Sequence, residues 1–474
     1  MPIITLVLSF SSLLNLFMTT VAIVGAGFSG LLTAYHLLKD SSIPFLHIYL
    51  IDQKKRAGRG LAYGTWDDNF LLNVPAGNMS AIADDPQHFV RYCQGIDPAF
   101  NDGTFVSRRI YGDYLEDLLA QVIEEFDARL EVITASVHAV KKTEQGQFLV
   151  QFTDRDALLA NKAVLAFGHF ASANPLQQHS PQFTAEDFKT THETQWLEQA
   201  DRSLPVVIIG SGLTAIDAIF KLSSTDLSRQ IILVSRRGLL PQPHRTNPKA
   251  PTKNSLDDLF RSPNTIRAYV RALRLEIARR EQQGGNWRDV INELRPYTPE
   301  IWRRFSVTER KRFLRQILPY WDTHRHRLAP IAHKRLLNLM SRGQVQVLAA
   351  RVEQIQPTSS GWRLSLRSRQ QPVVHQIDAA GIINCTGPDN DIRRIDQDLI
   401  QQLRSDALIS EDPLHIGILT QSDYQTIDRQ GQVNAGLYYI GPMLKASYWE
   451  AIAVPELRVH TACLAKIIAA NLTA

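Results

Sequence analysis

Residues 21–30 read Val-Ala-Ile-Val-Gly-Ala-Gly-Phe-Ser-Gly, and residues 206–215 read Val-Val-Ile-Ile-Gly-Ser-Gly-Leu-Thr-Ala. Each is a β-rich apolar run, a glycine turn and the start of an apolar periodic segment, which predicts strand, turn and helix. In such a turn the first glycine makes the bend and the second lets backbone approach a pyrophosphate. The third small residue lets the helix pack on the strand. The helix start then offers unpaired N–H groups and a positive dipole end to phosphate. A single GxGxxG is weak evidence, because glycine turns are common. Here two copies each precede a second strand, Phe45 to Ile51 and Ile231 to Ser235. That context makes dinucleotide binding the stronger reading.

The ends of those second strands separate the copies. Asp52 lies 22 residues beyond Gly30, where a carboxylate accepts hydrogen bonds from ribose hydroxyls. The 185-residue offset between copies carries Asp52 onto Arg237, preceded by Arg236. A guanidinium pairs with a 2′-phosphate that a carboxylate would repel. The first site is therefore expected to hold a dinucleotide with a free ribose. The second, on Gly210, Gly212, Leu213, Thr214 and Ala215 with Arg236 and Arg237, is expected to take NADPH. The plainer account of the two arginines is a solvated strand end.

The repeat continues. Val132–Phe152 aligns with Val347–Leu366, placing Val137 on Val352 and Gly146 on Gly361, and both segments predict hairpins of alternating strands. Each is followed by an apolar strand ending in glycine, at 163–168 and at 381–387.

Composition fits this picture. The chain has 474 residues, 44% apolar and 21% charged, enough for several globular domains. Its formal charge of +5 is small for that length and does not argue for nucleic acid. Cys93, Cys385 and Cys463 form no CxxC pair, so a disulfide framework, a structural zinc site and a redox dithiol are not expected, and a reducing cytoplasm is. Residues 1–17 are uncharged and mostly apolar, but they lack the basic region and cleavage site of a secretory signal. They run straight into the first glycine motif, so translation is expected to begin at Met18. A short membrane-associating extension is the alternative, and stable insertion is not expected.

Two such units, the second inserted in the first, resemble the two-dinucleotide-binding flavoproteins. The closing strands are similar to that superfamily's Ala-Thr-Gly signature, imperfectly at Ala166-Phe167-Gly168 and better at Cys385-Thr386-Gly387. More specific are 60–65 (GLAYGT), 71–76 (LLNVPA), 108–112 (RRIYG), 235–241 (SRRGLLP) and Trp449-Glu450 through Arg458. Together these resemble a family of FAD/NAD(P)-binding proteins related to FAD-dependent urate hydroxylases and aspartate N-hydroxylases. The resemblance covers about residues 20–470.

It implies an α/β fold of two Rossmann-like domains: an FAD domain at 18–198 and 389–474, and an NAD(P)H domain at 199–388 carrying a helical insertion at 245–342. It implies FAD on Gly25, Gly27, Phe28, Ser29, Gly30 and Asp52, with Val137 as a backbone contact to the adenine. Asn73 then faces the isoalloxazine or, equally well, caps a turn. One departure is Gly441-Pro442, where these flavoproteins commonly have Gly-Asp; Gly441 is retained as an FAD contact.

Between Arg236 and Arg342 stand 24 Lys/Arg and 9 Asp/Glu. Asn264–Arg280 has a helical stripe of Ile266, Tyr269, Val270, Leu273 and Ile277, and 307–318 and 331–340 are similar. A solvated face is the plain reading of the charge, and a funnel for NADPH or an acidic substrate the sharper one. Residues 320–327 (YWDTHRHR) offer Arg325 and Arg327 as substrate contacts, or as arginines paired to acids. No second acid/His cluster completes a metal shell, so no metal is expected.

With FAD and NADPH the chemistry belongs mainly to the cofactors. The expected activity is that of a flavin monooxygenase, using molecular oxygen through a C4a-hydroperoxide to hydroxylate a small amine or similar nucleophile. An NAD(P)H:acceptor reductase and a non-enzymatic redox sensor are the rivals.

Overall fold

The computed structural model describes residues 18–43, 45–53, 57–176, 180–190, 194–245, 256–369 and 373–473, apart from the side chains of Asp257 and Asp258. The reading of residues 1–17 and part of the insertion, 246–255, lie outside the described residues.

The strands are β1 (Thr19–Val24), β2 (Leu46–Asp52), β3 (Leu130–Thr134), β4 (Val137–Lys142), β5 (Phe148–Phe152), β6 (Leu158–Ala160), β7 (Lys162–Leu165) and β8 (Val206–Ile209). They continue with β9 (Ile231–Ser235), β10 (Val345–Thr358), β11 (Gly361–Ser368), β12 (Val374–Ala379), β13 (Gly381–Asn384), β14 (Gln425–Ile427) and β15 (Val433–Tyr439). One sheet has the order β14-β15-β7-β1-β2-β3 and the other β12-β11-β10-β9-β8-β13. The parallel run β7-β1-β2-β3 is thus repeated as β13-β8-β9-β10. A central parallel strand is covered on both faces, which explains why β1 and β8 are apolar without alternation. Val21, Ile23, Val206 and Ile208 are all fully buried, each worth about 1.5–3 kcal/mol of apolar transfer.

The C-terminal β15 joins β7 in the first sheet, so the second unit is inserted in the first. The chain crosses earlier than the expected boundary at 199: Leu176, Phe183 and Leu197 already pack in the second unit's cores. The expected hairpins are also redrawn. β3 is a parallel strand, and the hairpin is β4-β5, with a register shift between Val137 and Ala139. In the second unit one long strand, β10, does both jobs and shifts register between Val352 and Gln354.

Helices correct the insertion. Ile266–Gln282 is helical as expected. The run from Val307 breaks into a helix to Arg312, a π-turn at Phe313–Ile317 and a new helix at Leu318–Arg325. Pro319 has no N–H, so the carbonyl of Arg315 loses its helical donor. Helix Pro330–Ser341 packs through Ala332 and Leu336 into the second unit's core. It is that unit's crossover into β10, so the insertion ends before it rather than at 342.

Candidate functional site

The two turns match bond for bond. Gly25 N–H donates to Ile51 O at 2.8 Å and Gly210 N–H to Val234 O at 2.9 Å; Ala166 N–H reaches Val24 O and Cys385 N–H reaches Ile209 O, both at 2.8 Å. Gly25 and Gly210 have φ of +111° and +112°. A Cβ would fall 2.6 Å from Ala166 O in one and 2.2 Å from Cys385 O in the other. The closing strand is therefore what demands glycine. Gly27 and Gly212 are the N-caps of helices Phe28–Lys39 and Leu213–Thr225, neither with a side-chain cap, which leaves first-turn N–H groups for an anion. These turns bring together Gly25, Gly27, Phe28, Ser29 and Gly30, and separately Gly210, Gly212, Leu213, Thr214 and Ala215.

Strand register corrects one expectation. Val24 pairs with Ile51 and Ile209 with Val234, so the counterpart of Asp52 is Ser235, not Arg237. The side chains agree: Asp52 accepts from Ala26 N–H at 3.0 Å, and Ser235 Oγ lies 3.0 Å from Ser211 Oγ. The fixed offset fails because the second copy's helix-to-strand path is two residues shorter. Arg236, next along, is exposed. Arg237 donates to the carbonyl of Arg315 at 3.4 Å, the one Pro319 left unpaired, and lies 5.6 Å from the Tyr320 ring.

Other first-site residues converge from distant segments. Val137 begins β4 just after Ala135, whose N–H donates to Asp52 O at 2.9 Å. Gly441, at φ +150°, sits where a Cβ would meet Tyr439 Oη at 2.8 Å and Phe167 O at 3.1 Å. The residues present thus fit a dinucleotide at each turn: cradles that a side chain would fill, uncapped helix starts, and a carboxylate at one strand end.

Asn73 lies where the units meet. It lines a narrow pocket of about 10 Å³ with Arg108, Leu213, Asp217 and Ala329. Its carbonyl is 2.9 Å from His244 Nε2. Burial, then Arg327, drives His244 down to about 4. Arg108 and Asp217 form an ion pair of 2.9 Å across the cleft. Burial still pushes Asp217 up to about 6, partly offset by Arg108. Lys221–Asp67 at 2.8 Å and Arg335–Asn69 at 2.7 Å span the same boundary. In the sequence Asp217 stands out only as one acid inside the apolar run 213–220, and His244 has no local pattern.

Arg325 ends helix Leu318–Arg325, and both it and Arg327 are close enough to the cleft to act on His244. Arg325 is buried against Glu450 at 2.9 Å and Glu456 at 3.7 Å, and Trp321 Nε1 donates to Glu450 at 2.7 Å. Burial alone would raise the Glu450 carboxyl, but Arg325, His326 and the Trp321 N–H hold it below its usual range. Glu450 also has φ +77°, a costly region for a non-glycine residue. Arg327 is buried and donates to Asn292. Both arginines thus have partners that tie the insertion together or to the 450–456 segment.

Among the described residues no group of three or more His, Cys, Asp or Glu is placed to hold a metal ion, and no helix is long and apolar enough to cross a membrane.

Residues 22–170 match the FAD-NAD(P)-binding family model. No curated protein sequence matches the chain. Among solved structures, the ornithine hydroxylase PvdA from Pseudomonas aeruginosa is similar at 16% identity over 96% of this chain and 100% of that one, with TM-score 0.62. An L-lysine 6-monooxygenase from Pseudomonas syringae is similar at 14% identity (95% and 98% covered, TM-score 0.64). So is DfoA, a cadaverine monooxygenase from Erwinia amylovora bound to FAD, at 15% identity (95% and 94%, TM-score 0.65). The fold is that of the two-dinucleotide-binding flavoproteins.

Proposed function

From an FAD-NAD(P)-binding domain set in a two-dinucleotide flavoprotein fold, we infer that this chain is an FAD- and NADPH-dependent oxidoreductase. Its expected reaction is hydroxylation of a nitrogen or similar nucleophile on a small molecule. The observation that carries this reading is the pair of matching turns whose strand ends differ, Asp52 in one and Ser235-Arg236-Arg237 in the other. The neighbours, which act on ornithine, lysine and cadaverine, support the oxygenase branch by fold alone.

When bound, FAD supplies hydride acceptance and oxygen activation. The chain's own residues do the rest. The first turn and Asp52 hold the adenylate half through N–H groups and a carboxylate. The second turn holds NADPH, with Arg236 free to meet a 2′-phosphate and Ser235 removing the repulsive acid. Asn73, Leu213 and Asp217 share one cavity, so residues of both sites face each other there. The Arg108–Asp217 and His244–Asn73 contacts fix the spacing of the units, and burial keeps His244 neutral at pH 7. The three cysteines are free, with Cys93 and Cys385 buried in different units, which disfavours dithiol chemistry and suits a reducing cytoplasm.

Anaerobic titration of the purified yellow protein tests the reading. NADPH is expected to bleach the flavin absorbance, with NADH much less effective. On admitting oxygen, a substrate amine should raise NADPH oxidation and yield hydroxylated product. Bleaching with no oxygenated product from any amine or aromatic would favour an acceptor reductase. A colourless protein that takes up no flavin would end the proposal.

A further inference from the structure

Inside the helical insertion, between helix Ile266–Gln282 and the broken run 307–325, lies a partly open apolar pocket of about 80 Å³. Its walls are aromatic. Trp302 and Trp449 lie 4.5 Å apart between ring centroids at 31°, and Phe313 meets Trp449 edge-on at 5.2 Å. Two of the three indole N–H groups here are used: Trp302 donates to Ala446 O at 2.9 Å and Trp321 to Glu450 at 2.7 Å. The third, on Trp449, is buried and has no hydrogen-bond partner among the described residues. A buried donor without an acceptor costs about 1–3 kcal/mol, which a ligand acceptor would recover.

The cavity shares Ile266, Val270 and Ile317 with an open groove lined by Arg267, Arg271, Arg274 and Arg312. Arg312 is paired with Glu309. Arg267, Arg271 and Arg274 are exposed, follow one another at helical spacing, and make no ion pair among the described residues. No acidic residue lines either space.

We propose that cavity and groove together bind a small molecule with a flat aromatic body and an anionic group, a carboxylate or phosphate. Tilted and edge-on rings favour a planar body over a flexible chain. Three guanidiniums without partners at the mouth favour an anion and repel a purely cationic molecule such as a diamine. This also gives the basic insertion a purpose its solvated faces alone do not. That the ligand is the substrate rests on the oxidoreductase reading; its binding does not.

Equilibrium dialysis of the flavin-loaded full chain, without NADPH, tests the site with three probes. Indole-3-acetate should bind at one site, with tryptamine and octanoate each at least about tenfold weaker. Arg271→Gln with Arg274→Gln should weaken indole-3-acetate about tenfold while flavin content stays unchanged. Trp449→Phe, which keeps the ring and removes the donor, should weaken it several-fold. Tryptamine binding as tightly as indole-3-acetate overturns the anionic part, and octanoate binding as tightly overturns the aromatic part. A double variant that binds like the parent overturns the site. NADPH bleaching of the same samples is scored separately, so failure of binding with bleaching intact leaves the oxidoreductase reading standing.

Discussion

In both copies the first glycine donates to the neighbouring strand within 0.1 Å of the same length, 2.8 and 2.9 Å, and the closing strand presses a carbonyl against it. The second glycine tells the copies apart. A Cβ on Gly27 would meet Gly60 Cα at 3.3 Å, whereas one on Gly212 would meet nothing within 4 Å. The first turn is roofed: Gly58 N–H donates to Ala26 O at 2.6 Å, and Arg59 pins the roof through Asp113, Glu116 at 2.8 Å, and the Trp66 face at 4.1 Å. The second turn is open. One sequence pattern thus builds an enclosed cradle suited to a resident cofactor and an open one suited to a nucleotide that comes and goes.

The largest effects should follow from closing one cradle at a time. Gly25→Ala forces a side chain into backbone at positive φ, and should cost roughly 2–4 kcal/mol and yield protein without flavin. Gly210→Ala meets an even closer carbonyl, yet should keep its flavin absorbance and lose only reduction by NADPH. Equal flavin loss in the two variants would break the division of labour.

The insertion crosses that division: it is encoded within the second copy but anchored on the first through Arg325, Glu450 and Trp449. Glu450→Gln leaves Arg325 buried with Glu456, at 3.7 Å, as its remaining counter-charge. A urea midpoint shift equivalent to about 2–3 kcal/mol is expected for the lost charged hydrogen bond. A shift below about 1 kcal/mol would mean the insertion is held elsewhere.

These contrasts show where sequence reading works. Glycine turns, apolar central strands and Asp52 act within about 30 residues of one another, so spacing exposes them. A fixed offset misses the counterpart of Asp52 because a loop two residues shorter changes register without changing either strand's pattern. Helix 330–341 looked like part of the insertion because an amphipathic stripe names no partner. Pairings such as Arg325–Glu450 or Arg108–Asp217 join residues more than 100 positions apart, and no local rule selects them.

A smaller effect would sharpen the nucleotide contrast. Arg236→Ala with Arg237→Ala should raise the NADPH dissociation constant about 10- to 100-fold and change NADH by no more than about twofold. Ser235→Asp, which installs the first copy's carboxylate in the second, should move preference the same way. Parallel losses for both nucleotides in a binding titration would return the arginines to a structural role, as the Arg237–Arg315 contact already hints for one of them.

The smallest expected effect lies in the cleft between the copies, where two groups respond to acid with opposite sign. His244 sits near 4, below its usual value near 6.5, so it contributes stability fully above 6.5 and loses it as pH falls towards 4. Asp217 sits near 6, above its usual value near 3.8, so its contribution is complete below 3.8 and is lost as pH rises through 6. Acidification from pH 7 to 5 therefore penalises His244 and favours Asp217. His244→Gln, which can still donate to the Asn73 carbonyl, should shrink the drop in unfolding free energy over that interval by about 1–2 kcal/mol. Asp217→Asn should steepen the drop instead. Urea titrations at the two pH values read both, and a change of the same sign in the two variants would show that the cleft is not where the copies sense protons.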